Sequence, residues 1–225
     1  MFFCMPNRLM CVALFSGLCA VVGMTAVPGC EKAADVSKEA SQGVSQEVST
    51  GQNSSESQWA SVGESPDLEV AAAVAKADAA MNAMGSSLMA AFKKAMVADG
   101  PVGAIGVCHD VAPALAKQVG EEQGIKIGRT SFRLRNTSNT PPAWAQAAVE
   151  NHVESPQAFV SPEGEVGRLR PIRMMAGCLQ CHGDAQQIDP AVQAQLTELY
   201  PDDQATGFAE GDVRGYFWAQ VPAAR

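Results

Sequence analysis

Five consecutive residues constrain this chain more than any other stretch: Cys178, Leu179, Gln180, Cys181 and His182. Two cysteines three positions apart on a helical turn direct both sulfurs to one side, and the next residue can project beneath a flat group bonded to them. This C-x-x-C-H pattern is the attachment signature of a covalent c-type haem, whose iron is bound by the neutral imidazole. The motif therefore predicts thioether bonds at Cys178 and Cys181, an iron ligand at His182 and one covalent haem c.

Two other uses of paired cysteines compete with this interpretation. A C-x-x-C pair forms half of many zinc sites, but such a site needs more ligands of this type than the rest of the chain offers. The pair also serves as a redox dithiol, although that chemistry requires no following histidine. The export signal near the N-terminus favours haem attachment over both alternatives.

Residues 1–29 have the composition of an export signal. Arg8 supplies a positive charge, and residues 9–27 are almost all apolar or small. The stretch is long enough to span a membrane as a helix, but its glycines and its N-terminal position favour a cleaved signal.

Residues 27–30 resemble the bacterial lipobox, in which the cysteine becomes the lipid-modified first residue. This predicts lipidation at Cys30, although Pro28 is unusual at that position. A soluble secreted form and an uncleaved anchor are the alternatives. We expect an exported lipoprotein on the periplasmic face, anchored to a membrane. The outer membrane is favoured because Glu31 is not the Asp that often retains lipoproteins at the inner membrane.

Counting the seven cysteines leaves one without a role. Three lie in the signal, Cys30 would carry lipid, and two would carry haem, which leaves Cys108. A single remaining thiol in an exported protein requires an explanation, and no disulfide framework can form.

The formal net charge is −8, and removing residues 1–29 removes only Arg8, which leaves −9. An acidic chain without a basic stripe makes nucleic acid an unexpected partner. Residues 31–66 are rich in Ser, Gln, Glu and Ala, with Trp59 as the large apolar exception. We interpret residues 30–66 as a flexible tether, spanning roughly 30 Å root-mean-square. A weak Ala-rich helix is the alternative.

Apolar residues recur at helical spacing over residues 67–98, which predicts a helix whose methionines pack in a core or, less often, bind a cofactor. Residues 99–101, Asp-Gly-Pro, end this helix and begin another over residues 101–123. Cys108 lies in the apolar stripe of the second helix, and Pro113 predicts a kink because it lacks an amide hydrogen.

The remaining segments alternate between strands and helices. We predict strands at residues 125–132, 157–161, 166–174 and 212–221, and helices at residues 144–152 and 190–199. This order predicts one α+β domain with an antiparallel sheet over residues 67–222.

Four ordered motifs carry a resemblance to a known family. They are Gly103-Ala104-Ile105-Gly106-Val107-Cys108 with Ala112-Pro113; Ile127-Gly128-Arg129-Thr130-Ser131 with Arg135-Asn136, Asn139, Pro142 and Trp144; Cys178-Leu179-Gln180-Cys181-His182-Gly183; and Tyr200-Pro201-Asp202-Asp203-Gln204-Ala205-Thr206-Gly207 with Gly211-Asp212 and Arg214-Gly215. Over residues 67–221 the chain resembles the single-haem c-type cytochrome domain with a PAS-like fold, which also occurs as an exported sensor module of bacterial signalling proteins.

The resemblance implies a PAS-like antiparallel sheet flanked by helices, with His182 and Cys108 as the two axial ligands of the iron. Iron would stabilise the buried thiolate, although a buried inert thiol is the alternative. Other candidates for the second ligand are His109, His152, Met174 and Met175.

Arginines are candidate contacts for the haem propionates, because a guanidinium pairs bidentately with a carboxylate. Arg129 and Arg135 match family positions, and Arg168, Arg170 and Arg173 precede the motif. Exposed strand charge is the alternative. Residues 200–207 form either a turn after the last helix, which we favour, or a loop at the haem edge.

A thiolate ligand favours ferric iron and lowers the reduction potential, and an iron with both axial positions filled is poor for substrate chemistry. We therefore expect no enzyme activity. The leading hypothesis is redox or gas sensing with a signalling or redox partner. A low-potential electron-transfer cytochrome in the periplasm is the alternative, and a peroxidase is a weaker third.

Overall fold

The computed structural model describes residues 58–224. The predicted signal at residues 1–29, the lipidation site Cys30 and residues 30–57 of the predicted tether lie outside the described residues. Within residues 58–224, no helix is both long and apolar enough to cross a bilayer.

A five-stranded antiparallel sheet forms the centre of the domain. Its strands are β1 (Ala60–Ser61), β2 (Lys126–Thr130), β3 (Gln157–Val160), β4 (Val166–Arg173) and β5 (Val213–Val221). They are arranged in the order β1-β3-β4-β5-β2, and every neighbouring pair is antiparallel. The predicted α+β class with an antiparallel sheet is confirmed, and a PAS-like topology stays a prediction.

Five α-helices accompany the sheet. They are α1 (Leu68–Gly106), α2 (Ala112–Gln123), α3 (Gln146–Glu150), α4 (Leu179–His182) and α5 (Pro190–Leu199), with a π-helical turn at Val107–Val111 and 3₁₀ turns at Ala143–Ala145 and Ala176–Cys178. Helix α1 begins where the Asp67 carboxylate accepts a hydrogen bond of 2.8 Å from the Val70 amide.

The predicted break between the first two helices is present at Gly100. This residue has φ 66° and ψ −165°, which is non-helical, and Pro101 restarts the helix. Glycine adopts such a backbone without the steric cost that other residues meet, and proline is suited to a first helical turn. Chain direction therefore changes before the segment that carries Cys108.

The kink predicted at Pro113 takes the form of a π-helical turn just before it. The Ala112 amide bonds to the Val107 carbonyl, five residues back, so the turn holds one residue more than an α-helical turn. Pro113 cannot donate to the His109 carbonyl and its ring crowds that oxygen, which explains why the preceding turn widens. Cys108 lies on this turn.

The two faces of the sheet pack against different layers. Ala219 and Val221 of β5 join residues of α1 and α2 in one buried cluster, whereas Tyr216 packs with Trp144 and Leu169 on the other face. This alternation follows from the two-residue period of a strand.

A short strand precedes the predicted domain boundary at residue 67. Ala60 pairs with Val160 and Ser61 with Phe159, and the Trp59 ring lies 5.5 Å from that of Trp144. Polar composition made this segment resemble the rest of the tether. The packing of the half-buried Trp59 indole and the pairing with β3 order it.

Gly167 on β4 is required by a close approach of Trp144. A Cβ atom at residue 167 would lie 2.8 Å from the indole Cδ2 atom of Trp144. We expect Gly167→Ala to lower the free energy of unfolding by about 1–3 kcal/mol, because a buried ring must shift. Urea denaturation measures the loss. Gly63→Ala is the control, because a Cβ there meets nothing within 4 Å; equal effects of the two changes would contradict the packing described.

Candidate functional site

A cavity of about 470 Å³ lies between α1, the α1-facing side of the sheet and the C-x-x-C-H turn. This volume falls within the range of small-molecule sites, roughly 300–1,000 Å³. The residues predicted to bind a cofactor all line it: Cys108, Arg129, Arg135, Cys178, Cys181 and His182. Three separate segments of the sequence, around Cys108, at residues 129–135 and at the motif, therefore meet at one place.

The motif forms the helical turn that its spacing predicts. A 3₁₀ turn ends at Cys178, and α4 continues directly through Cys181 and His182. Both cysteines are free thiols and half-buried. Burial raises the pKa of the Cys181 thiol, and the nearby Arg135 charge opposes that rise.

The imidazole of His182 is oriented by a backbone carbonyl. Its Nδ1 atom lies 2.7 Å from the Ala205 oxygen. A carbonyl oxygen can only accept, so we assign the proton to Nδ1, which leaves the lone pair on Nε2. Histidines that bind metals are commonly held in this way by a second hydrogen bond.

The charge state of His182 also suits a metal ligand. Burial, followed by the Arg135 and Arg214 charges, lowers the pKa of His182 to about 2. The imidazole is therefore neutral at any physiological pH. The Arg135 Nη1 atom lies 3.5 Å from Nε2, a distance at the limit of a hydrogen bond, so the lone pair is only loosely engaged.

Cys108 reaches the cavity from the π-helical turn. Its backbone carbonyl accepts a 3.5 Å contact from Arg129 Nη2, which ties the turn to β2. Among residues 58–224, no three His, Cys, Asp or Glu side chains are grouped closely enough to hold a metal ion by themselves. The three thiols and His182 all line the cavity without forming a ready-made cluster of this kind.

The methionine stripe of α1 divides into two parts. Met81 and Met84 are fully buried in the core, as the periodicity predicts, and Met81 also borders the cavity. Further along, Met89, Phe92 and Met96 line the cavity and are only half-buried. The core interpretation therefore holds for the first part, and the second part forms an apolar wall that can pack against a bound group.

Arg135 holds the motif turn against the loop after α5. Its Nε donates to Asp203 Oδ2 at 2.9 Å, and its Nη2 donates to the carbonyls of Cys181 and Ala205. The pair with Asp203 is almost completely buried. Residues 203–205, interpreted from the sequence as a turn, thereby support both the motif and His182.

Arg214 is a site residue that the sequence did not single out. Its Nη1 donates to Ser131 Oγ and to the Arg133 carbonyl, both at 3.0 Å. Its Nε lies 3.1 Å from His182 Nδ1, but this contact is not a hydrogen bond when Nδ1 carries the proton that it donates to Ala205. Burial, followed by the Arg135 charge, lowers the pKa of Arg214 to about 10. Arg214 was among the residues that carry the resemblance, but no local motif gave it a role.

The model of the Tll0287-like family (Tll0287) matches residues 31–222. The chain belongs to the Tll0287-like family. A solved structure that matches is described as the crystal structure of the cyanobacterial heme-protein Tll0287. It is 27% identical, with 51% of this chain and 71% of that chain covered and a TM-score of 0.42. No curated protein matches. The resemblance found in the sequence is confirmed at the level of this family, and the His/Cys ligation stays a prediction.

Most of the residues considered as alternatives to Cys108 for the second ligand lie outside the cavity. The His109 Nδ1 contacts Asp110 Oδ1 at 2.6 Å, and the His152 ring stacks on Phe132 at 3.8 Å. Neither histidine lines the cavity, whereas Met174 does and the half-exposed Met175 does not. Cys108 and Met174 are thus the candidates for a second ligand that reach it.

The buried pair of Arg135 and Asp203 gives a stability prediction. We expect Arg135→Met to lower the free energy of unfolding by about 3 kcal/mol, because it leaves a buried carboxylate without its partner. Urea denaturation of the purified protein measures this.

The control is Lys117→Met, which removes an exposed pair with Glu121 at 3.9 Å. An exposed pair contributes at most about 1 kcal/mol. Similar losses in both variants would show that Arg135 does not hold the motif turn.

Proposed function

We propose that this member of the Tll0287-like family is an exported protein that binds one covalent haem c. Cys178 and Cys181 would form the thioether bonds, and His182 and Cys108 would bind the iron. The observation that carries the proposal is that all four residues line one cavity. The heme-protein description of the matching cyanobacterial structure supports it.

The residues present fit such a group in three respects. The thiols lie one helical turn apart beside a neutral imidazole whose Nε2 lone pair is available. An apolar wall of Met89, Phe92 and Met96 borders the same cavity. These are the contacts that a porphyrin face requires, since its surface is largely apolar.

Cationic side chains supply partners for the two propionates. Arg135 pairs with Asp203, but neither Arg129 nor Arg214 forms an ion pair within the part of the chain that the structure describes. Both line the cavity. Because Arg135 is already paired with a carboxylate, whereas Arg129 and Arg214 bond only to uncharged groups, we assign the propionate contacts first to Arg129 and Arg214. We assign Arg135 to holding the motif.

Redox or gas sensing is the role that these residues favour. Bound haem supplies an iron that changes oxidation state or takes up a gas. Cys108 lies on a π-helical turn, an arrangement often found at functional sites, and that turn joins α1 to α2. A change at the Cys108 side chain would therefore reach both helices. The lipid at Cys30 and the residues that follow it would place the domain near a membrane partner.

An enzymatic role is not part of the proposal. Cys108 and His182 would both be occupied in holding the iron, and a neutral His182 with its strongly lowered pKa cannot serve as a general acid at neutral pH. Electron transfer at low potential remains the alternative role, and the ligand-binding measurement below separates it from sensing.

Covalent attachment gives the first test. Expressed with a c-type maturation system, the protein should keep its haem through denaturing electrophoresis, because thioether bonds survive unfolding. The double variant Cys178→Ser/Cys181→Ser should lose that signal completely. A Cys108→Ser control should keep it, since Cys108 forms no thioether. Haem retained in the double variant would contradict the assignment.

The second test concerns Cys108. The ferric protein should show a thiolate-type absorption spectrum that Cys108→Ser abolishes, because the serine hydroxyl is a weak ligand. His109→Gln, one residue along, is the control and should leave the spectrum unchanged. An unchanged spectrum in Cys108→Ser would overturn the ligand assignment. Ready binding of carbon monoxide by the reduced wild-type protein supports gas sensing, whereas a reduced iron that stays closed favours electron transfer.

A further inference from the structure

Tyr200 brings a phenol to the wall of the cavity. This residue follows the last turn of α5, lines the cavity and is only 6% exposed. Its hydroxyl makes no hydrogen bond with any residue among 58–224, in contrast to the backbone of Tyr200, which bonds to Leu196. Among the described residues, the enclosed hydroxyl without a partner is that of Tyr216. The Tyr200 hydroxyl is not enclosed in this way and can donate to a group bound in the cavity.

The ring of Tyr200 lies against the helical segment that carries Cys108. It shares a buried cluster with Ile105, and the His109 ring meets it edge-on with centroids 5.3 Å apart. These two contacts lie three residues before Cys108 and one residue after it. Tyr200 therefore faces the part of the cavity that Cys108 reaches.

Tyr216, the other tyrosine of the chain, provides a comparison. It is fully buried, and its hydroxyl also lacks a partner. However, it packs among Trp144 and Leu169 on the opposite face of the sheet and does not line the cavity. The free hydroxyl of Tyr200 differs because it opens onto the predicted site.

We propose that the Tyr200 hydroxyl is the hydrogen-bond donor for a diatomic gas bound to the iron on the Cys108 side. This inference rests on the proposed haem binding and adds a residue that determines ligand preference. Hydrogen-bond donors in the distal pocket of a haem favour ligands whose outer atom carries partial negative charge, dioxygen above all.

The protonation state of Tyr200 agrees with a donor role. Burial, followed by the Cys108 charge, raises the pKa of Tyr200 to about 12. The phenol therefore keeps its proton at physiological pH. A phenolate that would bind iron directly is disfavoured by the same burial.

The experiment uses the haem-loaded Cys108→Ala protein, in which the axial position is open whether or not the wild-type protein releases Cys108. In this background, Tyr200→Phe should raise the C–O stretching frequency of the carbon monoxide complex, because the positive end of the hydroxyl dipole is lost. Dioxygen should dissociate roughly 2- to 10-fold faster, the factor expected from one hydrogen bond. Tyr216→Phe in the same background is the matched control and should change neither quantity.

Each outcome decides one point. A wild-type protein and a Cys108→Ala protein that both take up no haem refute the proposed function itself. A haem-loaded protein with the same C–O frequency and dioxygen dissociation rate in Tyr200→Phe overturns the donor role and leaves haem binding intact. A phenolate charge-transfer band that Tyr200→Phe removes would make Tyr200 an iron ligand and would also overturn the donor role.

Discussion

The site depends on one buried guanidinium. Arg135 joins the Asp203 carboxylate, the Cys181 carbonyl and the Ala205 carbonyl, and Ala205 in turn orients His182. A flexible lysine could not serve here, since these partners lie in different directions and match a planar fork of donors. The charge is tolerated at this depth because a carboxylate of opposite charge is buried with it. The motif turn contains only one short helix, α4. It is therefore positioned by contacts with residues that are far away in the sequence.

The second ligand candidate is positioned by backbone chemistry. Gly100 and Pro101 redirect the long helix, and Pro113 widens the turn before it into a π-helical one. A regular helix through this segment would give Cys108 a different rotation relative to the sheet. The wide turn also contacts β2, where Arg129 Nη2 lies 3.5 Å from the Cys108 carbonyl oxygen, at the limit of a hydrogen bond. Cys108 thus reaches the cavity because two prolines and a glycine prevent a regular helix.

Local patterns in the sequence predicted most of the elements, and the motif turn most reliably. The turn, the break at Gly100 and the strands β3 and β4 depend on neighbouring residues, whose chemistry is visible in the sequence. The roles of Arg135 and Arg214 depend on partners between 32 and 83 residues away. The spacing of apolar residues along the sequence does not reveal contacts between residues so far apart. The division of the methionine stripe between core and cavity was hidden for the same reason, since all its members share one helical spacing.

The loop after α5 connects the two sides of the site. Tyr200 packs against the helical segment around Cys108, and three residues later Asp203 pairs with Arg135. The Asp203 amide also bonds back to the Tyr200 carbonyl, and Ala205 accepts from His182. A displacement of the Cys108 turn would therefore press on the same short loop that orients the imidazole. Coupling of this kind needs no long pathway, because one loop, residues 200–205, contacts both the segment around Cys108 and the imidazole of His182 directly.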